Sequence, residues 1–138
     1  MHFAHLFVTL QAMKRQLVVS NSIELVRLYA EDIVCIEADG NYSTFYLIGG
    51  EKRLVLFQLG WLERMMGEQL AEEAEAFIRI GRSLIINRNY IYCINLGRQQ
   101  LLLRDPNHHS HETLKVSRES LRKLKELIEG DTEKKGEQ

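Results

Sequence analysis

The sequence is poor in proline, which often marks linkers, and in cysteine, which forms disulfides. It has one proline and two cysteines among 138 residues. With so little proline and no low-complexity tract, an internal linker between domains is not expected. No apolar run approaches the roughly 18 residues of a membrane-spanning helix, which predicts no membrane segment. The first residues lack the basic start of a signal peptide. The absences predict one folded domain of ordinary composition, 45% hydrophobic and 27% charged.

The two cysteines, Cys35 and Cys93, both lie inside apolar, strand-like runs. A small apolar side chain in such a run is typical of a buried free thiol rather than of a disulfide. This interpretation favours a reducing compartment, and we expect a cytoplasmic protein.

The usual signatures of an enzyme are also missing. The sequence has no glycine-rich phosphate loop, no Gly-x-Ser-x-Gly turn and no Cys-x-x-Cys pair, so neither catalysis nor a cofactor is predicted. The one metal candidate is the cluster His108, His109 and His111. A catalytic zinc site draws its ligands from more than one element, whereas these histidines share one polar loop. A solvated loop is therefore favoured, and no metal site is predicted.

The net charge of −1 hides a strong asymmetry along the chain. Residues 1–78 have 6 basic and 11 acidic groups, net −5, and residues 126–138 have 2 and 5, net −3. Between them, residues 79–125 have 10 basic and 3 acidic groups, net +7. A basic segment between acidic ones can form a local positive face, and such a face is typical of nucleic-acid binding.

Apolar and β-branched residues occur in short runs, many alternating at period two, which predicts strands rather than long helices. Gly49-Gly50 and Leu96-Gly97-Arg98 separate pairs of such runs and predict hairpin turns, because tight turns need positive φ. The predicted strands cover residues 17–20, 23–28, 33–37, 42–48, 52–57, 77–80, 84–86, 90–95, 99–104 and 113–116. Residues 105–112 are predicted to be a polar loop.

Helical spacing appears twice, over residues 59–70 and over residues 118–128 after a capping Ser117. The predicted fold is therefore mainly β, a sandwich-like stack of short antiparallel sheets with one or two small helices. We expect an N-terminal extension at residues 1–16, the folded domain at 17–128 and a disordered polar tail at 129–138.

Three short stretches carry side chains suited to DNA. Residues 39–43 form a turn with amide and hydroxyl groups, and residues 79–88 place two arginines beside a glycine before an apolar strand. Residues 115–118 join a strand to a helix N-terminus, whose backbone N–H groups suit a phosphate. Arginine grips guanine or phosphate with two hydrogen bonds, and lysines such as Lys115 and Lys123 attract phosphates without sequence preference.

In their order and spacing, these stretches resemble the LytTR family of bacterial DNA-binding domains. The matching pieces are DIVCIEADGNY from Asp32, FIRIGRSLIIN from Phe77, then Ile91 and Ile94, and LKVSR from Leu114 with a helix after it. The second piece is the most specific, and the resemblance covers about residues 17–128.

The resemblance implies an elongated stack of antiparallel sheets that binds direct or imperfect repeats in promoters. Members of the family insert loops, not a recognition helix, into successive major grooves. By motif position, Asn41 or Tyr42 lies in the first DNA-facing loop, Arg82 in the second and Arg118 in the third. Arg79 and Ser83 are then expected to support the second loop or to hold a phosphate.

The chain also departs from the family pattern. Members often have histidine at the position of Gly81, and a tight turn where this chain has residues 105–112. The family's usual receiver domain does not fit into the 16 to 20 residues before the first strand, so a stand-alone member is expected. Double-stranded DNA is the expected partner, with a homodimer on DNA or a protein regulator as further candidates. The alternative is a protein-interaction module that sequesters a related regulator, which the acidic first half favours.

Overall fold

The structure is a computed structural model that describes residues 15–105, 107 and 110–136, with side chains described as far as Thr132. Ten strands and two α-helices follow one another along this part of the chain. The helices are α1 (Leu59–Gln69) and α2 (Arg118–Gly136). The strands are β1 (Gln16–Ser20), β2 (Leu25–Tyr29), β3 (Ile33–Asp39), β4 (Tyr42–Leu47), β5 (Lys52–Val55), β6 (Phe77–Ile80), β7 (Leu84–Asn87), β8 (Ile91–Asn95), β9 (Gln100–Arg104) and β10 (His111–Lys115).

A five-stranded antiparallel sheet in the order β5-β4-β3-β7-β6 forms the middle of the molecule. Both glycines of the Gly49-Gly50 turn have positive φ, 82° and 86°, as the predicted hairpin requires. Strand β7 pairs with β3, opposite residues far back in the sequence, with Ile85 facing Ile36. Helix α1 carries the chain from one edge of this sheet, β5, to the other edge, β6.

One face of the central sheet packs against the β1–β2 hairpin and α1. Because strand side chains alternate between faces, Ile36, Phe45 and Ile85 point to this side, where Leu17 and Leu62 cover them. The amide of Gln69 on α1 bonds both the N–H and the C=O of Val18, at 2.7 and 2.9 Å, which ties β1 to the helix.

The opposite face packs against the three-stranded sheet β10-β9-β8 and α2. Cys35 and Ile86 point to this side and meet Leu101, Leu103 and the α2 residue Leu121, all fully or almost fully buried. The predicted stack of small antiparallel sheets is confirmed, with the five-stranded sheet as its middle layer. Both cysteines are free, as predicted; Cys35 is buried and Cys93 is half-buried.

The starts of β2 and β10 each differ by two residues from the sequence prediction. Strand β2 begins at Leu25 rather than at Ile23, because the Asn21 side chain accepts hydrogen bonds of 2.9 Å from the N–H groups of Ile23 and Glu24 and closes a turn there. Strand β10 begins at His111, so the polar loop predicted at 105–112 is too long. The first residues of β10 are too polar to show the apolar pattern of a strand. They form a strand because they pair with β9, where His111 lies opposite Arg104.

Helix α2 reaches Gly136, whereas the sequence predicted that it ends at residue 128. An ion pair between Arg88 and Asp131 and a bond from the Thr132 hydroxyl to the Ile128 carbonyl stabilise this extension. The expected extension at residues 1–16 lies outside the described residues, apart from Arg15 and Gln16. Among the described helices, none is long and apolar enough to cross a membrane.

Candidate nucleic-acid interface

Two of the predicted DNA-facing turns lie side by side at one end of the central sheet. Gly40 makes the β3–β4 turn with a φ of 65°, and Gly81 makes the β6–β7 turn with a φ of 61°. Because β3 and β7 are antiparallel neighbours, the end of β3 meets the start of β7. The N–H of Ala38 donates a hydrogen bond of 2.7 Å to the carbonyl of Ser83, which joins the end of β3 to the β6–β7 turn.

The first turn presents Asn41 and Tyr42, both exposed, and the Tyr42 side chain is 49% exposed. The Asn41 amide oxygen accepts a hydrogen bond of 2.9 Å from the side chain of Gln58, the residue before α1. Behind them, the buried Ser43 hydroxyl donates to the Phe57 carbonyl at 2.7 Å. The turn is therefore fixed to the segment that leads into α1.

The second turn presents Arg82 and Ser83, both exposed. Arg79 points back into this turn instead of outward. Its guanidinium donates from Nε to the carbonyl of Gly81 at 3.1 Å and from Nη2 to the carbonyl of Arg82 at 2.9 Å. Of the two roles predicted for Arg79, this geometry matches loop support.

The third region is the junction between β10 and α2. The Ser117 hydroxyl accepts from the N–H of Ser120 at 3.2 Å, which is the predicted N-cap. Lys115 and Arg118 on either side are exposed. Arg118 also approaches the β8–β9 turn, with 3.4 Å between its Nε and the carbonyl of Leu96.

A groove connects the second turn to α2. Its walls are Ile78, Arg79, Ile80 and Gly81 on one side and Ser120, Lys123, Leu124 and Leu127 on the other, around a volume of about 340 Å³. Lys123 pairs with Glu119 one turn earlier on the helix, at 3.6 Å. The β6–β7 turn is therefore a neighbour of the first turns of α2, which begins directly after the third region.

Asn87 and the strand before it form the support of this surface. Leu84, Ile85 and Ile86 are buried, and Asn87 is only 2% exposed. The Asn87 amide donates to the Ile33 carbonyl at 3.0 Å, and its oxygen accepts from the N–H of Asn89 at 3.0 Å. Of the strip from Arg79 to Asn87, Arg82 and Ser83 are thus on the outside and Asn87 is inside.

A separate polar cluster lies where the central sheet meets β10. The Tyr46 hydroxyl donates to Glu37 at 3.0 Å, and burial together with this bond raises the pKa of Tyr46 to about 12. Burial also raises the pKa of the Glu112 carboxyl; Lys52 opposes this shift and Glu37 adds to it. Burial likewise raises the pKa of the Cys35 thiol, which makes it a poor nucleophile.

Within the described part of the chain, no group of three or more histidine, cysteine or carboxylate side chains could hold a metal ion. Of the predicted histidine cluster, His108 and His109 lie outside the described residues, and His111 is on β10. No cofactor is predicted from these residues either.

Three antiparallel sheets and two helices, with exposed arginines on the β6–β7 turn and at the β10–α2 junction, are features of a β-rich DNA-binding module. A family profile described as "LytTr DNA-binding domain" matches residues 23–129. The chain belongs to this family, which is one of DNA-binding domains and not of enzymes. The predicted resemblance is confirmed.

The solved structure of a LytTr DNA-binding domain from Bacillus cereus has the same fold. The match has a TM-score of 0.57 and 20% sequence identity, and it covers 83% of this chain and 97% of that one. No curated protein matches the chain significantly.

Two charged residues that sequence reasoning missed lie next to the predicted regions. Arg98 is exposed on the β8–β9 turn, whose Leu96 carbonyl meets Arg118, so it adds a positive charge to the third region. Glu63 on α1 pairs with Arg79 at 2.9 Å. The glycine of Leu96-Gly97-Arg98 predicts the turn, but no local pattern predicts that the turn lies against the N-terminus of α2. The helical spacing of residues 59–70 predicts the helix that carries Glu63, but no local pattern pairs Glu63 with Arg79.

Proposed function

We propose that this chain is a sequence-specific transcription regulator that inserts three loops into the major groove of double-stranded DNA at promoter repeats. The loops are the β3–β4 turn, the β6–β7 turn and the β10–α2 junction. The observation that supports the proposal is the proximity of their surroundings: the Ala38–Ser83 bond ties the end of β3 to the second loop, and a groove lies between the second loop and the first turns of α2.

The exposed side chains on these loops differ in the contacts they suit. Arg82 and Arg118 have the paired donors that recognise guanine, and the free amide N–H groups of Asn41 and the ring of Tyr42 suit base edges. Ser83, Lys115 and Lys123 are assigned to phosphates, which fix the register of the protein on the duplex. Arg98 is also assigned to phosphates, because it is exposed on the turn whose Leu96 carbonyl approaches Arg118.

The experiment is selection of bound duplexes from a random pool, followed by titration of the enriched duplex at several salt concentrations. We expect one enriched motif and an affinity that falls steeply as salt rises, because bound phosphates release counterions. Enrichment of no sequence, with weak binding that is the same on all duplexes, would contradict sequence-specific recognition.

The alternative function, sequestering a related DNA-binding regulator, has support in the acidic residues of α1 and the turn after it, which include Glu63, Glu68, Glu72 and Glu73. It predicts no shift of any duplex but co-purification with another regulator. A homodimer on DNA is expected if the enriched motif contains two equivalent half-sites. A cytoplasmic location is consistent with DNA as the ligand and with two free thiols.

A further inference from the structure

Side chains of α1 and of Gln58 directly before it reach both of the turns that lie side by side, one by a direct bond and the other through Arg79. Gln58, at its N-cap position, makes no capping bond to its own helix and donates instead to Asn41 at 2.9 Å. Five residues later, Glu63 accepts a hydrogen bond of 2.9 Å from Nη1 of Arg79. Neither contact belongs to the apolar core, so core packing does not explain them.

The second contact continues into the turn itself. Arg79 uses three separate nitrogens: Nη1 for Glu63, Nε for the Gly81 carbonyl and Nη2 for the Arg82 carbonyl. A planar guanidinium fixes the relative positions of the groups it bridges, which an ammonium cannot do. Both carbonyls belong to the turn that presents Arg82, and Gly81 leaves that turn without a side chain to pack.

We propose that Glu63 is a positioning residue for DNA recognition: by holding Arg79 against the carbonyls of Gly81 and Arg82, it keeps the Arg82 side chain in the orientation that binds DNA. Gln58 does the same for Asn41, so α1 is a common support for two loops. The inference rests on the proposed function, because positioning matters only if Arg82 touches the duplex. Of the two roles predicted for Arg79, the inference gives it support of the loop and not a phosphate contact.

The sign of the effect separates positioning from simple electrostatics. Glu63 is negative, so its removal strengthens any general attraction to DNA. If Glu63 positions the turn, however, Glu63→Gln weakens binding despite this gain. Glu68 is an exposed acid on the same helix, and Glu68→Gln changes the net charge equally without touching Arg79.

The experiment measures the affinity of the full chain for the enriched duplex with these two variants. We expect Glu63→Gln to weaken binding about two- to fivefold, the range for one partly exposed ion pair, and Glu68→Gln to leave it unchanged or slightly stronger. In an Arg82→Ala background, the weakening by Glu63→Gln is expected to disappear, because there is then no side chain to position, and at most the small gain from the lost charge is left. An effect of the same size in both backgrounds, or equal behaviour of Glu63→Gln and Glu68→Gln, would overturn the proposal.

Arg79→Lys provides a second test because it keeps the charge. We expect it to weaken binding with no change in the salt dependence, since the lysine cannot bridge two carbonyls and Glu63 together. If Arg79 instead held a phosphate as a point charge, Arg79→Lys would bind nearly as well as the wild type.

A measurement on the free protein separates this inference from the proposed function. Backbone ¹⁵N relaxation of residues 81–83 reports the order of the turn without DNA. We expect Glu63→Gln to lower the order parameters there and Glu68→Gln to leave them unchanged. If no duplex binds but the turn loosens in Glu63→Gln, the proposed function fails and the support stands. If the turn keeps its wild-type order in Glu63→Gln, the support itself is wrong.

Discussion

The N–H of Ala38 donates a hydrogen bond of 2.7 Å to the carbonyl of Ser83, across 45 residues of sequence. This bond extends the β3–β7 pairing towards two turns. One turn follows Asp39 at the end of β3, and the other precedes Leu84 at the start of β7. Neighbouring strands lie about 4.8 Å apart, so the two turns are held one strand spacing from each other. Under the proposed function, Arg82 and the pair Asn41-Tyr42 reach neighbouring positions in one groove.

Arg82 and Arg118 are the residues expected to contribute most to specificity. Replacing either by alanine is expected to cost about 1–3 kcal/mol of binding free energy and to relax the preference at one base position. The matched control is Arg53→Ala, which removes the same charge from the edge strand β5, opposite Phe45. Titration of the enriched duplex and of its single-base variants measures both effects. Wild-type affinity in both arginine variants would contradict the site assignment.

Lys115 is expected to act on phosphate alone. Lys115→Ala should weaken binding by a similar factor on matched and mismatched duplexes, and should reduce the slope of log affinity against log salt by about 1. Anisotropy titrations at four salt concentrations measure the slope. A loss confined to one base position would instead make Lys115 a base-reading residue.

The sequence predicted the elements well where a local signal existed. Gly49-Gly50 and Leu96-Gly97-Arg98 mark hairpins that the structure contains, and Ser117 caps α2 as expected. The start of β10 was not predicted, because His111 and Glu112 become strand residues only by pairing with β9.

The candidate site was predictable in part. The resemblance placed Arg82 in a loop, and Arg82 is exposed on the β6–β7 turn. The resemblance could not choose between two roles for Arg79, because the choice depends on Glu63, which lies 16 residues away on another element. The adjacency of the turns is likewise set by the β3–β7 pairing, a long-range contact without a local signal.

Asn87 is expected to stabilise the fold without touching DNA. Asn87→Ala leaves the carbonyl of Ile33 and the N–H of Asn89 without their partner, and an unsatisfied buried group costs about 1–3 kcal/mol. Urea unfolding measures the loss. The affinity of the folded fraction for the enriched duplex should stay at the wild-type value, and a selective loss of affinity would assign Asn87 to the interface.

Glu112 gives the fold a pH dependence of its own. Its pKa is raised in the folded state, chiefly by burial, so folding favours the protonated carboxyl. Its contribution to stability is therefore most favourable below the unfolded pKa and is lost as the pH rises through the folded pKa. Glu112→Gln, which stays neutral, should unfold at a higher temperature than the wild type at pH 7, and the difference should shrink towards pH 4. A difference that grows on acidification would contradict this assignment.

The most direct test of the central claim is selection from a random pool of duplexes, repeated with the Arg82→Ala/Arg118→Ala double variant. We predict that the wild type enriches a repeated motif whose halves lie about one helical turn, roughly 10 base pairs, apart. The double variant should enrich nothing. If the wild type enriches no sequence, or the double variant recovers the same motif with equal affinity, then the surface formed by these three loops does not read DNA.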